Sequence, residues 1–418
     1  MGASLPRGKE KPMRTFDLSA KLHQRARRVI PGASQTNSKR VPASLVGRYP
    51  VFLVRGSGAH VWDVDGNEYI DYIMALGPIV LGYRYPAVER AIAERLREGL
   101  LFGLPHPLEV EAAEALVEAV PCAEMVRFLK SGAEATSAAA RIARAFTGRE
   151  VILSHGYHGW HDNWTALRND GGVPRCLEER VFSFPYNDLA ALERLFAQHE
   201  GQVAAVIMIP TQVEKPQEGY LQGVKELCRR HGALLIFDEI VTGFRMALGG
   251  AQEFFGVVPD LAAFAKGMAN GMPLAAVVGK REVMALAENL LITTTYGGEI
   301  LSLAALVASL EEYRQKPVHT YLWEQGQRLV EGLEAAAREH GIPFRCLGYP
   351  LMAQPDLQGE TPEQTERLWD ILLTGLAQRG VLIRRGGLMF ITYSHTPQDI
   401  ERTMEAFEAV FREMKRGV

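Results

Sequence analysis

The stretch Leu234-Leu235-Ile236-Phe237-Asp238-Glu239-Ile240-Val241-Thr242-Gly243-Phe244-Arg245, followed by Leu261-Ala262-Ala263-Phe264-Ala265-Lys266-Gly267, sets the fold. Each half is a short apolar run that ends in one ionisable group and then in turn-forming residues. Short apolar runs without alternation mark strands buried on both faces of a parallel sheet. Open α/β sheets bind ligands at the carboxyl ends of their strands, where Asp238 and Lys266 stand. A lysine partly desolvated there can lose its proton and attack a carbonyl. The alternative is two ordinary strand-end charges, and the surrounding chain decides between them.

With 418 residues the chain exceeds one typical hydrophobic core, so two domains are expected. Apolar content of 47% and charged content of 23% are those of a globular protein, and a net charge of −3 gives no reason to expect nucleic acid or an anionic membrane as partner. Cys122, Cys176, Cys228 and Cys346 lie far apart without metal-ligand spacing, as in reduced thiols of a cytoplasmic protein. No apolar run approaches the roughly 20 residues that span a bilayer. The basic start, Met1 to Arg14, is not followed by the hydrophobic segment of a secretory signal, and Pro6 stands where a myristoylation site needs Ser or Thr.

Along the chain, residues 1–16 read as a flexible charged tail. Residues 17–74 form an N-terminal segment: a helix from Leu18 to Val29 stopped by Pro31-Gly32, then an antiparallel meander with Asp65-Gly66 as its hairpin signal. From Pro86 onward helices such as Glu134–Phe146 alternate with strands at Val126–Leu129, Glu150–Leu153, Val203–Ile209, Ala233–Phe237, Leu261–Ala265 and Ala275–Val278. That alternation predicts an α/β fold with a mostly parallel, doubly wound sheet in a large domain, residues 75–312. Long amphipathic helices (Tyr321–His340, Thr365–Arg379) and short strands such as Met389–Thr392 then give a smaller α+β domain, residues 313–418, against which the N-terminal segment packs.

Four further segments can carry chemistry. Lys130-Ser131-Gly132-Ala133-Glu134-Ala135 joins a strand to a helix, a junction whose free N–H groups can cradle a phosphate, although the Walker spacing is missing. His155-Gly156-Tyr157-His158-Gly159-Trp160-His161 offers three histidines, but no cysteine or carboxylate pattern completes a metal shell; it suits an aromatic cover over a flat ring, and no metal is expected. Thr293-Thr294-Thr295-Tyr296-Gly297-Gly298-Glu299 precedes an apolar helix and is either a second anion-binding helix start or a plain threonine cap. Arg384-Arg385-Gly386-Gly387 can clamp a substrate carboxylate or be an exposed hairpin.

A phosphate cradle, an aromatic cover, a strand-end aspartate and a lysine at the next strand together suit pyridoxal 5'-phosphate. On these motifs the chain resembles class III pyridoxal-phosphate aminotransferases of fold type I, in particular the branch containing glutamate-1-semialdehyde aminomutase. The resemblance runs from about Ile30 to at least Ala305. It includes Gly58–Asp71, Val126-Arg127-Phe128 with Ser131–Ala135, Tyr157-His158-Gly159, and above all Gly232–Val283. It implies Lys266 as Schiff-base lysine and general acid/base, and Asp238 as partner of the pyridine nitrogen. Ser131, Gly132 and Ala133 would form the phosphate loop, Tyr157 with His158 would lie at the ring, and Thr295 would reach the phosphate held by the neighbouring subunit. A homodimer with shared active sites follows, as does a ping-pong transfer in two half-reactions between an amino donor and a carbonyl acceptor.

The departures concern the substrate. Ala133 stands where many relatives have threonine, and Glu299-Ile300 where the family reads Asn-Pro. Leu76 replaces the tryptophan that the aminomutase branch places before Gly77-Pro78, and Arg384-Arg385 lies near that branch's C-terminal glutamate. Losing an aromatic wall and an acid while gaining arginines points to an intermolecular aminotransferase for a β-amino or keto acid, or for a keto-sugar. The aminomutase, an isomerase, is the alternative.

Overall fold

The computed structural model describes residues 13–168 and 171–417. Its strands are β1 (Leu53–Ser57), β2 (His60–Asp63), β3 (Glu68–Asp71), β4 (Met125–Leu129), β5 (Val151–His155), β6 (Val181–Ser183), β7 (Val203–Met208), β8 (Leu234–Asp238), β9 (Leu261–Phe264), β10 (Ala275–Gly279), β11 (Phe344–Leu347), β12 (Met352–Leu357), β13 (Val381–Leu382) and β14 (Met389–Phe390). Seven of them form the central sheet in the order β4-β10-β9-β8-β7-β5-β6. All neighbours are parallel except β10, which is antiparallel to both β4 and β9.

Every residue of β7, β8, β9 and β10 is buried, which is why these strands show no alternation in sequence. The alternation is in space instead. Leu235 and Phe237 of β8 join one core, and Leu234 and Ile236 join a second on the opposite face. The second core includes Ala135, Ala138, Ala139, Ile142 and Ala143 of the helix Gly132–Thr147, whose small side chains let it lie close on the sheet. Asp238 has the parity of Leu234 and Ile236, so it faces the layer that holds this helix and Trp164.

The N-terminal meander β1-β2-β3 is antiparallel and gains β13 as a parallel fourth strand from the far end of the chain. The remaining sheet, β11-β12-β14, belongs to the C-terminal segment. The expected strand Met389–Thr392 is shorter, Met389–Phe390, although the Ile391 N–H still donates to the Leu351 carbonyl in the register of the β12 pairing.

The expected tail differs where it is described; its first part, residues 1–12, lies outside the described residues. From Arg14 the chain is docked. The Arg14 N–H donates to Gln378 Oε1 at 2.9 Å, its guanidinium lies 4.8 Å from the Tyr69 ring centroid, and Phe16 is buried. The buried Phe16 and the Arg14 contacts together dock this segment.

Candidate active site

Three elements converge at the carboxyl end of the central sheet. Asp238, buried, ends β8; its Oδ1 accepts the Ile240 N–H at 3.1 Å and its Oδ2 meets His158 Nδ1 at 2.7 Å. With Asp238 ionised, His158 Nδ1–H is the donor, and the carboxylate is held at both oxygens. His158 is held in turn by Trp164, edge-on at 5.3 Å, and its carbonyl accepts the Thr136 hydroxyl. His158 Nε2, Ser154 Oγ and Trp164 Nε1 are buried atoms without a partner among the described residues, and all three residues line one cavity of about 30 Å³, room for a water molecule.

Lys266 follows β9 with φ of 43°, a left-handed conformation that a lysine rarely adopts. The strained backbone occurs at the ionisable residue the sequence singled out. Burial pushes its amine down to about 8; the Asp238 carboxylate acts against that shift and the Arg245 guanidinium with it. A substantial fraction of Lys266 is therefore neutral and nucleophilic near neutral pH.

The third element is the start of the helix Gly132–Thr147. Ser131 caps it in a reciprocal box, its hydroxyl accepting the Glu134 N–H while Glu134 accepts the Ser131 N–H. That leaves the Gly132 and Ala133 N–H groups at the open, electropositive end of the helix. A Cβ on Gly132 would come within 2.9 Å of Ile240, two residues beyond Asp238, and one on Gly159 would sit 2.5 Å from the Ala133 Cβ. The phosphate-type turn thus packs closely on the Tyr157–Gly159 loop and on the Ile240 side chain after β8, an anion cradle beside a paired carboxylate.

The three histidines answer to separate partners. His155 Nδ1 bonds the Phe184 carbonyl at 3.2 Å, His161 Nδ1 the Ser137 hydroxyl at 2.9 Å, and His158 Asp238. No group of three or more potential metal ligands occurs among the described residues. Tyr157 is exposed, with the Arg168 guanidinium 5.1 Å from its ring centroid, a contact not foreseen in the sequence.

The segment Thr293–Glu299 departs from both expectations. Thr295 is exposed in a turn, and the cap of the helix Ile300–Gln315 is Glu299, whose carboxylate accepts the Leu301 N–H at 2.6 Å and the Ser302 N–H at 3.3 Å. This helix end is already filled by an anion of its own chain. Glu299 also pairs with Lys130 Nζ at 3.0 Å, linking it to the Ser131 turn.

Leu76 is half-buried in the turn Met74–Gly77. The two arginines part company. Arg385 pairs with Glu366 at 2.5 Å and lies 5.9 Å from the Trp369 ring centroid, in a cleft of the C-terminal segment. Arg384 is half-buried, its guanidinium pKa lowered by desolvation and supported by Tyr49, whose hydroxyl bonds the Ile383 carbonyl at 2.7 Å. Asn270 went unnoticed in the sequence; its buried side chain accepts the Val80 and Leu81 N–H groups and donates to the Gly82 carbonyl, pinning the loop after Leu76.

The description "Aminotransferase class-III" matches residues 43–411. The chain belongs to the class III aminotransferase family. It is 36% identical over 426 residues to a glutamate-1-semialdehyde 2,1-aminomutase of Desulforamulus reducens, covering 95% of this chain and 98% of the relative. It is 35% identical over 407 residues to a 3-aminobutyryl-CoA aminotransferase of Cloacimonas acidaminovorans, covering 95% and 97%. The fold matches that of the FumI protein of Sphingopyxis sp. MTA144, solved in a PLP form, with a TM-score of 0.89, 31% identity, and coverage of 95% and 96%. The chain is thus a PLP-dependent enzyme of the transaminase class with a fold-type I architecture. The anion cradle, the buried lysine of lowered pKa and the His158-held carboxylate are a donor set that fits this cofactor. No helix among the described residues is long and apolar enough to cross a membrane.

Proposed function

We propose that this class III enzyme transfers an amino group between two separate molecules, an amino donor and a carboxylate-bearing carbonyl acceptor of β-amino or keto acid type. The observation that carries the reading is the half-buried Arg384 beside Tyr49, a cation without a carboxylate partner among the described residues; Leu76, in place of the aminomutase branch's tryptophan, supports it. The name of the Cloacimonas relative, a 3-aminobutyryl-CoA aminotransferase, supports the β-amino part of this reading.

Bound pyridoxal phosphate supplies an aldehyde that takes up the amino group and a ring that accepts electrons. Gly132 and Ala133 would hold the phosphate by their N–H groups, with Ser131 completing the turn. Asp238, fixed by His158, would face the pyridine nitrogen and favour its protonated form, and Tyr157 would cover the ring. Lys266 Nζ would be the amine that anchors the cofactor's aldehyde and, once freed by the amino donor, the base that moves a proton from the donor's amino-bearing carbon during the transfer. Residues 75–312 would hold the cofactor, with 17–74 and 313–418 closing over the substrate.

A homodimer completes this reading. Leu100, Leu101, Phe102 and Leu104 are exposed apolar residues, and Leu100 accepts the Ile300 N–H beside the Thr295 turn. A second copy covering that patch would bring Thr295 to the partner's phosphate; light scattering at the monomer mass would remove this part. A cytoplasmic location is part of this reading, and the four free cysteines suit it. A keto-sugar acceptor would leave Arg384 without a task.

The rival is the aminomutase, favoured by the Desulforamulus relative's name. The two are separated by mixing the holoenzyme with amino donors alone. Release of a free keto acid, with the cofactor spectrum moving to the amine form, is expected; turnover of the semialdehyde without external donor, and no keto acid, would establish the isomerase instead. Lys266→Ala is expected to abolish turnover with the fold retained, and near-normal turnover would end the assignment.

A further inference from the structure

Arg245 has the largest fully buried side chain among the described residues, 1% exposed, with no carboxylate partner among them. A buried cation is ordinarily paired. Here one guanidinium nitrogen donates to the Ile391 carbonyl at 3.3 Å, another to the Gly77 carbonyl, and the Nε–H has no partner among the described residues. The plane lies 4.5 Å from the Phe390 ring centroid.

What it grips is strained. Met74, Ala75, Leu76 and Gly77 have φ of 44°, 53°, 74° and 101°, so three successive non-glycine residues are left-handed. Such a run persists only where its surroundings over-determine it. At its start Asp71 accepts the Ile73 N–H at 2.8 Å and the Met74 N–H at 3.2 Å. At its end there are Arg245 and Phe390; a Cβ on Gly77 would meet the Phe390 ring at 2.8 Å.

Arg245 also stands behind Lys266. A Cβ on Gly267 would lie 3.2 Å from the Gly243 carbonyl oxygen, and Tyr313, stacked on Phe244, donates its hydroxyl to the Gly267 carbonyl at 2.7 Å. The turn that ends in Arg245 and the turn that carries Lys266 are one packed unit.

We propose that Arg245 is a positioning residue for acceptor specificity: its forked guanidinium holds Met74–Gly77 in its left-handed form and so fixes Leu76, the pocket wall, relative to Lys266 and to the C-terminal strand. This rests on the reading of Leu76 and Lys266 as active-site residues. The fork matters because the two carbonyls come from separate segments, and a lysine ammonium in its place is a flexible point charge without the planar spread of donors.

The test uses holoenzyme of Arg245→Lys and Arg245→Met, with Phe390→Leu as a variant that keeps the arginine but loosens the plate beneath Gly77. Expected in both Arg245 variants are a rise of roughly tenfold in acceptor KM with kcat within about threefold, and amide exchange accelerated at least about tenfold in the peptide spanning Ile73–Pro78 but not in β8. Phe390→Leu should move the same two readouts less. Adding Leu76→Ala to Arg245→Met should cost less than the two changes separately. Unchanged KM and unchanged local exchange in any folded variant would overturn the proposal. If both Arg245 variants fail to fold, unchanged values in Phe390→Leu overturn it alone. Turnover surviving in Lys266→Ala would instead strike the underlying site reading, so the two failures are distinguishable.

Discussion

The lowered pKa of Lys266 can be tested without turnover. At pH 7 an amine of ordinary lysine pKa, 10.5, is neutral in about three molecules in ten thousand, whereas one at about 8 is neutral in roughly one in ten, a ratio of roughly 300. Burial is the main cause and the Asp238 carboxylate opposes it. Removing that carboxylate with Asp238→Asn should therefore lower the Lys266 pKa further, although the variant loses a negative charge and keeps every neighbour of similar shape. The assay is competitive acetylation of cofactor-free protein with trace acetic anhydride from pH 6 to 10.5, reading the Lys266 peptide by mass spectrometry beside Nα-acetyl-lysine amide. The native peptide should reach half its limiting reactivity near pH 8 while the free amine continues to climb past pH 10. The half-point of Asp238→Asn should lie below the native one. A native curve rising in parallel with the free amine would refute the burial argument, and an upward move in Asp238→Asn would refute the assigned sign.

Three other perturbations follow from the packing. Gly159→Ala places a Cβ 2.5 Å from that of Ala133 at a φ of 122°, so it should cost roughly 1–3 kcal/mol of stability and speed cofactor loss on dialysis. Glu299→Ala removes the cap of the Ile300–Gln315 helix and the partner of Lys130; a loss of about 1–2 kcal/mol is expected in urea unfolding, and an unchanged midpoint would count against the cap. Arg384→Ala should raise the KM of a carboxylate acceptor about tenfold or more while Arg385→Ala, already engaged with Glu366, changes it by less than about twofold; equal effects would reverse the assignment of the clamp.

The chain's local pattern carried most of the architecture. Uninterrupted burial of β7 to β10 appears in sequence as short apolar runs, and the capping box at Ser131 and Glu134 is a four-residue signal, so both are legible without coordinates. Asp238 and Lys266 were legible for the same reason: a strand that must stay apolar makes its terminal charge conspicuous. The antiparallel direction of β10 was not, because a buried strand reads the same either way along the chain. Nor was the cap of the last central helix, since three threonines offered hydroxyls and only the backbone path decided that Glu299 reaches the N–H groups.

What the sequence by itself determined was the sheet, the family and the two charged residues at its carboxyl end. Only the tertiary structure decided which groups they answer to. His158 reaches Asp238 across 80 positions, and the carbonyls held by Arg245 lie 168 and 146 positions away. Arg384 and Arg385, adjacent in sequence, separate in space, one toward Tyr49 and one toward Glu366. The physical reason is common to these cases. Propensity and periodicity act over a few neighbouring residues, whereas desolvation and hydrogen-bond pairing depend on groups that only chain folding brings together.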